Sequence, residues 1–263
     1  MTRLSVPSGE ATLSARIEGD AGKPWLLLSN SLAADLSMWD DQIALFCLTH
    51  RVLRYDTRGH GQSSVPAGPY DFPMLVADTV ALLDHVGADR TDVIGLSLGG
   101  MTALGLGLAH PGRVGRMLVC DARADNPPPF VAGWDDRIAA ISAGGMEAIR
   151  DGTLARWFTP ASKPEQRERA GRMILSTPAP GYIACARALQ GLDYLRHLPG
   201  MTVPVTYLVG AEDLAAPPVA MQSMADATPG GHLVMLPGLA HVPNMERPDL
   251  FNQAVGPWLA ATK

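Results

Sequence analysis

The chain of 263 residues is poor in charged residues, aromatic residues and cysteine, and each shortage excludes a class of protein. Charged residues make up 18% of the chain and aromatic residues 6%, whereas hydrophobic residues make up 47%. A disordered chain would show high charge and little apolar content. The three cysteines, Cys47, Cys120 and Cys185, lie far apart in the sequence. This spacing excludes a disulfide framework and a paired-cysteine metal or redox motif, so we expect buried free thiols in a reducing cytosol.

The sequence also lacks an excess of positive charge and a segment suited to membrane insertion. Lys and Arg number 21 against 26 Asp and Glu, which gives a formal net charge of −5, whereas nucleic acids and anionic lipids attract clustered cations. The N-terminal residues contain no apolar stretch of signal-peptide length. Residues 93–112 are uncharged, but their glycines and proline favour a strand, a turn and a short buried helix. We expect a cytoplasmic protein that binds neither nucleic acid nor membrane, with its oligomeric state left open.

Six short apolar runs recur along the chain and predict the strands of a sheet. They are nearly continuous in apolar character, which is typical of strands covered on both faces. Apolar residues at helical spacing separate several of them, for example between residues 75 and 86. Alternating strands and helices favour a doubly wound, mostly parallel α/β sheet. The runs span residues 25–29, 51–55, 92–96, 116–120, 205–209 and 232–236.

The alternation of strands and helices stops between residues 124 and 199. Helical patterns occur near residues 138–141, 154–157 and 184–189, and no convincing strand separates them. An unstructured loop of this length is uncommon inside a domain, so we predict an inserted helical cap, or lid. Residues 1–123 and 200–263 would then form the α/β core. We expect the cap to cover the carboxyl ends of the strands, where open α/β sheets bind ligands.

Residues 95–99, with the sequence GLSLG, match the pattern G-x-S-x-G and predict a nucleophilic serine. Ser97 follows the apolar run 92–96 and precedes a segment rich in Ala, Gly and Leu. A sharp strand-to-helix turn exposes the serine hydroxyl, and flanking glycines allow the strand and the helix to approach closely. A Gly-rich turn with an incidental serine has the same sequence, so the prediction depends on the partners of Ser97.

A nucleophilic serine needs a base and a third group that orients the base, and after this motif they follow in the order acid, histidine. His241 lies between the last predicted strand and the last predicted helix, where it would reach Ser97. Asp213 follows the preceding strand and is the expected acid. Glu212 beside it, and Asp121 at the end of the strand after the serine, are the alternatives.

Two backbone amides are expected to form an oxyanion hole, which needs two preorganised N–H donors. One belongs to Leu98, directly after the nucleophile, and the other to Leu32, in the loop after the run 25–29. The side chains of Asn30 and Ser31 are further candidate donors.

Residues 56–63, with the sequence DTRGHGQS, follow another predicted strand. They lack the glycine spacing of a dinucleotide-binding or phosphate-binding loop. We therefore interpret them as a structural turn held by hydrogen bonding between Asp56 and Arg58. No histidine pair or carboxylate–histidine cluster has the spacing of metal ligands, and we expect neither a metal nor an organic cofactor.

Four segments resemble the α/β-hydrolase superfamily and, within it, the 3-oxoadipate enol-lactonases of aromatic catabolism (the β-ketoadipate pathway). The sequence SNSL at residues 29–32 is similar to these lactonases, whereas many hydrolases of the superfamily have His-Gly there. The resemblance implies an α/β-hydrolase fold with a catalytic triad of Ser97, Asp213 and His241. The four segments are residues 29–40, 52–61, 95–101 and 240–248.

The resemblance also implies a reaction, in which 3-oxoadipate enol-lactone is opened to 3-oxoadipate through an acyl-enzyme on the serine. A carboxylesterase or a C–C bond hydrolase is the alternative of similar mechanism, and a non-catalytic ligand-binding protein on this fold is the alternative of another class.

A small lactone with a free carboxylate needs a cation in an otherwise apolar pocket. Four arginines in the predicted cap or directly before it are candidates for this role, namely Arg123, Arg137, Arg156 and Arg187. The candidate substrate contacts are Trp134, Arg137, Trp157 and Tyr182.

Overall fold

The computed structural model describes residues 2–261, which form an eight-stranded sheet surrounded by helices. The strands are β1 (Thr2–Ser8), β2 (Ala11–Glu18), β3 (Trp25–Ser29), β4 (Arg51–Tyr55), β5 (Thr91–Leu96), β6 (Val114–Cys120), β7 (Val205–Gly210) and β8 (His232–Leu236). They lie in the order β1-β2-β4-β3-β5-β6-β7-β8. Strands β3 to β8 pair in parallel, whereas β2 pairs antiparallel with both β1 and β4. The predicted mostly parallel α/β sheet is confirmed.

Strands β3 to β8 coincide with the six apolar runs of the sequence. Strand β5 is buried at every residue, because it lies in the middle of a sheet that is covered on both faces. Strands β1 and β2 escaped the prediction. Their side chains alternate between exposed and buried positions, as expected for an antiparallel pair at the sheet edge, and so they form no continuous apolar run.

Helices of the core pack against the sheet. The helix predicted from residues 75 to 86 begins three residues earlier, where Asp71 caps the first turn by accepting from the N–H of Met74. It ends before Gly87, whose φ of +66° suits glycine. The core helices are α1 (Asp40–Phe46), α2 (Phe72–His85), α3 (Leu98–Ala109), α8 (Pro218–Ala227), α9 (Pro243–Glu246) and α10 (Pro248–Ala260).

Four further helices lie between β6 and β7, within the segment predicted as a cap. They are α4 (Pro128–Gly144), α5 (Glu147–Trp157), α6 (Pro164–Ser176) and α7 (Ala179–Gln190). No strand separates them among the residues that the structure describes. Helix α6 was not predicted, because its apolar face is narrow and centres on Met173 and Ile174, so apolar residues do not recur at helical spacing along it.

The cap touches the core closely at one glycine pair. The backbone of Gly181, in α7, lies against that of Gly59, whose φ is +77°. A Cβ atom on Gly181 would overlap the carbonyl oxygen of Gly59. Beside this contact, the N–H of Tyr70 donates to the carbonyl of Ala184 at 3.2 Å. The position of α7 over the core is therefore set by backbone contact.

The predicted hydrogen bonding between Asp56 and Arg58 is wrong. The Asp56 carboxylate accepts from the N–H groups of Leu36 and Gln62, at 2.7 and 2.9 Å. Arg58 instead forms two hydrogen bonds of 2.6 Å with Asp78 of α2. Because Asp78 is buried, its charge needs a paired cation, and Arg58 is the side chain that supplies it.

No helix within residues 2–261 has both the length and the apolar character that a membrane crossing requires.

Candidate active site

Ser97 lies at a strained turn between β5 and α3. Its φ and ψ are 54° and −117°, which a non-glycine residue rarely adopts. A Cβ on Gly95 would overlap the carbonyl of Gly99, and a Cβ on Gly99 would overlap the carbonyl of Ser29. The two glycines of the motif are therefore required for strand and helix to pass each other, and the turn directs the hydroxyl of Ser97 into a cavity.

His241 contacts both Ser97 and Asp213. Its Nε2 lies 3.0 Å from Ser97 Oγ, and its Nδ1 lies 2.8 Å from Asp213 Oδ2. Because a carboxylate only accepts hydrogen bonds, Nδ1 carries the hydrogen, and Nε2 is left to accept from the serine hydroxyl. The second oxygen of Asp213 accepts from the N–H groups of Ala215 and Ala216, at 2.7 and 3.0 Å. This arrangement can draw a proton from the serine as its oxygen attacks an electrophile.

The two alternative acids occupy different places. Glu212 is exposed, and its N–H donates to the carbonyl of Leu239 at 2.9 Å. Asp121 is fully buried at the end of β6, and its Oδ1 accepts from the N–H of Gly210 at 2.8 Å. The acid that contacts His241 is thus Asp213, while Asp121 lies beside it.

The loop that carries His241 is fastened by Glu246, a residue that the sequence analysis missed. One carboxylate oxygen of Glu246 accepts from the N–H of Ala240 at 2.7 Å. The other accepts from the N–H and the hydroxyl of Thr159, at 2.7 and 2.6 Å, and from the hydroxyl of Ser162. Glu246 therefore joins the cap segment after α5 to the residue before His241. A lone acid in the segment after the histidine was its only signal in the sequence.

The two predicted oxyanion donors lie in the loop after β3, where Leu32 lines the cavity, and directly after Ser97, where Leu98 begins α3. Leu98 is the first residue of α3, so its N–H has no acceptor within its own helix. The N–H of Leu32 has no acceptor anywhere in residues 2–261. The Asn30 side chain is already engaged, because it donates to the carbonyl of Tyr55 and accepts from the indole of Trp39. Ser31 lines the cavity.

His60 holds the loop that contains Leu32. The N–H of Ala33 donates to His60 Nε2 at 3.1 Å, and His60 Nδ1 lies 3.2 Å from the carbonyl of Arg58. Complete burial lowers the pKa of His60 to about 4, so the ring is neutral and Nε2 is free to accept. The loop after β3 and the turn 56–63 are thereby joined through a buried hydrogen bond.

A cavity of about 620 Å³ lies between the core and the cap. Ser97 and His241 line it from the core, and the four candidate substrate contacts, Trp134, Arg137, Trp157 and Tyr182, line it from the cap. The guanidinium of Arg137 lies 4.9 Å from the centre of the Trp134 ring and donates to the Tyr182 hydroxyl at 3.3 Å. The cavity is of a size and polarity suited to a small organic molecule.

The four candidate arginines separate into two pairs. Arg123 and Arg187 form ion pairs with carboxylates of the cap. Arg137 and Arg156 line the cavity, and neither forms an ion pair among the residues that the structure describes. Asp136, which is exposed, is the acid on the cap side of the same cavity. Arg137 and Arg156 are thus the two cations placed to meet an anionic ligand.

One group of side chains has the spacing of metal ligands. Oxygen or nitrogen atoms of Asp121, Asp213 and His241 lie within 4.8 Å of one another. Both ring nitrogens of His241, however, already contact Ser97 and Asp213. The arrangement fits an acid–base relay better than a metal site.

Comparison with known proteins supports a hydrolase. The model of the alpha/beta hydrolase family matches residues 25–254. 3-Oxoadipate enol-lactonase 2 of Acinetobacter baylyi is 35% identical over 90% of this chain and 89% of its own. The enol-lactonase structure from Burkholderia xenovorans LB400 superposes with a TM-score of 0.93 at 35% identity, covering 99% of this chain and 100% of that one. A thermophilic esterase from Thermogutta terrifontis, solved with malate bound, gives a TM-score of 0.91 at 28% identity, with 98% of each chain covered.

Proposed function

The chain belongs to the alpha/beta hydrolase family, and we propose that it is a serine hydrolase that opens a small anionic lactone through an acyl-enzyme on Ser97. The observation that carries the proposal is the chain of hydrogen bonds from Ser97 through His241 to Asp213, at the surface of a cavity between core and cap.

Attack by Ser97 begins the proposed reaction. The hydroxyl oxygen adds to the lactone carbonyl while its proton passes to Nε2 of His241, 3.0 Å away. The carboxylate of Asp213 stabilises the imidazolium and remains ionised itself. The N–H groups of Leu32 and Leu98 stabilise the negative charge that develops on the carbonyl oxygen.

Collapse of the tetrahedral intermediate opens the ring. The carbonyl carbon separates from the ring oxygen, and that oxygen takes the proton from His241 Nε2. The former ring oxygen stays attached to the acyl chain on Ser97, so no separate alcohol leaves. A water molecule, deprotonated by His241, then attacks the ester, and the proton returns to Ser97 Oγ as the acid is released.

The substrate we favour is 3-oxoadipate enol-lactone. Its ring oxygen would be released as an enol, which tautomerises to the ketone of 3-oxoadipate by moving the proton from oxygen to carbon. Two observations support this choice: the enol-lactonase relatives at 35% identity, and Arg137, which lines the cavity and forms no ion pair within residues 2–261. Arg137 would bind the free carboxylate of the lactone, with Trp134, Trp157 and Tyr182 enclosing the ring. Aromatic catabolism in the cytoplasm is the setting that this substrate implies.

Esterase activity on acidic esters is the second candidate. It is favoured by the structural similarity to an esterase solved with malate bound. The same Ser97, His241 and Asp213 would act, and only the molecule held by the cap would differ.

The first test separates a serine hydrolase from other mechanisms and ranks the substrates. Purified protein is assayed on 3-oxoadipate enol-lactone, on an unsubstituted lactone, and on neutral and acidic esters, and it is labelled with a fluorophosphonate. We expect labelling at Ser97 and the highest kcat/KM on the enol-lactone. Ser97→Ala should lose labelling and about 10⁴-fold or more of kcat. Turnover that survives in Ser97→Ala would contradict the acyl-enzyme mechanism.

Arg137→Gln gives the matched test of substrate charge. We expect KM for the acidic lactone to rise about tenfold to a hundredfold, as for the loss of a charged hydrogen bond, with little change for the unsubstituted lactone. Arg187→Gln is the control, because Arg187 is half-exposed and already paired with Asp135. If Arg137→Gln and Arg187→Gln change KM for the acidic lactone equally, Arg137 does not bind the substrate carboxylate.

A further inference from the structure

Two buried carboxyl groups lie side by side behind His241. Asp121 and Asp213 are 0% and 2% exposed, and their oxygen atoms lie within 4.8 Å of each other and of a ring nitrogen of His241. Asp121 follows β6 and Asp213 follows β7, so the two acids come from adjacent strands of the sheet. The mechanism proposed above uses only Asp213.

The two acids differ in their hydrogen-bond partners. The oxygens of Asp213 accept from His241 and from two backbone N–H groups, which suits a charged carboxylate. Asp121 accepts one hydrogen bond at Oδ1, and its buried Oδ2 meets no donor within residues 2–261. Burying a charged carboxylate is strongly unfavourable when one of its oxygens accepts no hydrogen bond. If the carboxyl group is protonated, the same oxygen carries a hydrogen and becomes a donor.

The charges that face Asp121 act in the same direction. They are the carboxylates of Asp213, after β7, and Glu246, in α9, and His241 is the nearby titratable ring. Burial and, after it, the charge of Asp213 raise the pKa of Asp121 well above its usual range. Three acceptor positions of Asp213 are occupied, and a carboxylate offers about four. One position remains for a hydrogen from Asp121.

The backbone at Asp121 is strained as well. Its φ of 46° lies in the left-handed region that non-glycine residues avoid. Strained residues of this kind persist where the surrounding structure requires them, often at functional sites. Here the strained turn brings the carboxyl of Asp121 next to that of Asp213.

We propose that Asp121 is a protonated positioning residue that donates a hydrogen bond to Asp213 and replaces it as the acid when Asp213 loses its charge. The proposal rests on the serine hydrolase mechanism. In the wild-type protein the pair carries one negative charge, which faces Nδ1 of His241. When Asp213 is made neutral, the repulsion that keeps Asp121 protonated disappears, and Asp121 can ionise beside the ring.

A double-mutant experiment tests this reserve role. Fluorophosphonate labelling rates of Ser97 are measured for wild type, Asp121→Asn, Asp213→Asn and the double variant between pH 5 and 9. Asn at position 121 keeps an N–H donor toward Asp213 and an acceptor toward Gly210, so we expect Asp121→Asn to stay within about threefold of wild type. Loss of a triad acid typically costs about 10⁴-fold. We expect the labelling rate of Asp213→Asn to be only about a hundredfold below that of wild type and to rise with pH. Adding Asp121→Asn should lower this rate at least a further tenfold.

Two results would overturn the proposal. One is equal labelling of Asp213→Asn and the double variant at every pH, which would leave Asp121 without a reserve role. The other is a large decrease in the labelling rate of Asp121→Asn alone, which would mean that Asp121 is charged in the wild type. The proposed function is judged separately, because an unlabelled wild-type protein would contradict the serine mechanism before Asp121 is considered.

Infrared spectroscopy tests the proton directly and needs no activity. A buried, protonated carboxyl gives a C=O band that a carboxylate lacks. We expect this band in wild type at pH 7 and its loss in Asp121→Asn. Identical spectra of the two proteins in this region would contradict the proposal.

Discussion

Three residues with a strained backbone lie in or beside the proposed active site. Within residues 2–261, the non-glycine residues with positive φ are Ala33, Ser97 and Asp121, at 62°, 54° and 46°. Each follows the carboxyl end of a parallel strand, where a side chain or an amide must be turned toward the cavity or the histidine. Such conformations cost about 1–3 kcal/mol each. The fold therefore gives up stability at three points in or beside the proposed active site.

His60 gives a prediction about acid stability. Its pKa of about 4 in the folded protein lies below the ordinary value of 6.5, so the unfolded chain takes up the proton first as the pH falls. Between about pH 6.5 and 4 this favours unfolding by about 1.4 kcal/mol per pH unit. Urea unfolding of His60→Gln should show a correspondingly shallower loss of stability in that range. The exposed His85→Gln is the control, and equal slopes for wild type and His60→Gln would contradict the prediction.

Single residues divide into those that sequence reasoning finds and those it misses. Ser97, Asp213 and His241, which the structure brings into contact, could be singled out because each lies in the loop after a predicted strand and their order in the chain is informative. The partner of Arg58 is missed, because Asp78 is distant in sequence and becomes the partner only when α2 packs beside the turn. The role of Glu246 is missed for the same reason, since the donors on Thr159 and Ser162 come from the cap.

At the scale of elements, continuous apolar runs identify the strands that are buried on both faces, but not elements with an exposed face. Strands β3 to β8 were predicted because burial on both faces leaves an unbroken signal. Helix α6 and the hairpin of β1 and β2 each have an exposed face. Polar residues on that face interrupt the apolar residues in the sequence, so no continuous apolar run is visible. The order of strands in the sheet follows from pairing between distant segments, which a sequence pattern does not encode.

Glu246, in the short helix α9, joins the segment after α5 to the loop that carries His241. This gives a prediction for Glu246→Gln. The amide would place an N–H group against the N–H of Ala240 or against the donors of the cap, leaving a buried donor unpaired at a cost of about 1–3 kcal/mol. Because Ala240 precedes His241, we expect kcat to fall about tenfold or more while KM changes less.

Steady-state kinetics of Glu246→Gln is compared with that of Glu212→Gln. Glu212 is exposed and lies beside Asp213 in sequence, so it controls for loss of a charge near the site. If the two variants show the same kcat, Glu246 does not position the histidine loop.

At the scale of the whole molecule, the contact of Gly59 with Gly181 fixes the cap on the core. Gly181→Ala must displace α7, because the new methyl would overlap the carbonyl of Gly59. We expect a lower Tm, a higher KM, and faster hydrogen exchange in α4 and α7 with the sheet unchanged. Gly256→Ala is the control, since a Cβ there meets no atom within 4 Å. Unaltered exchange in the cap of Gly181→Ala would show that the contact does not hold it.

The order of strands in the sheet has a consequence for the synthesis of the protein. A ribosome releases Ser97, and the strands β3 to β6 that surround it, well before β7 and β8. These last two strands form the edge that carries Asp213 and His241. A nascent chain that has already folded its first strands therefore has the proposed nucleophile but not the proposed base. Inside the cell, each new molecule would remain chemically inert until the final strands join the sheet, so unfinished chains could not act on metabolites.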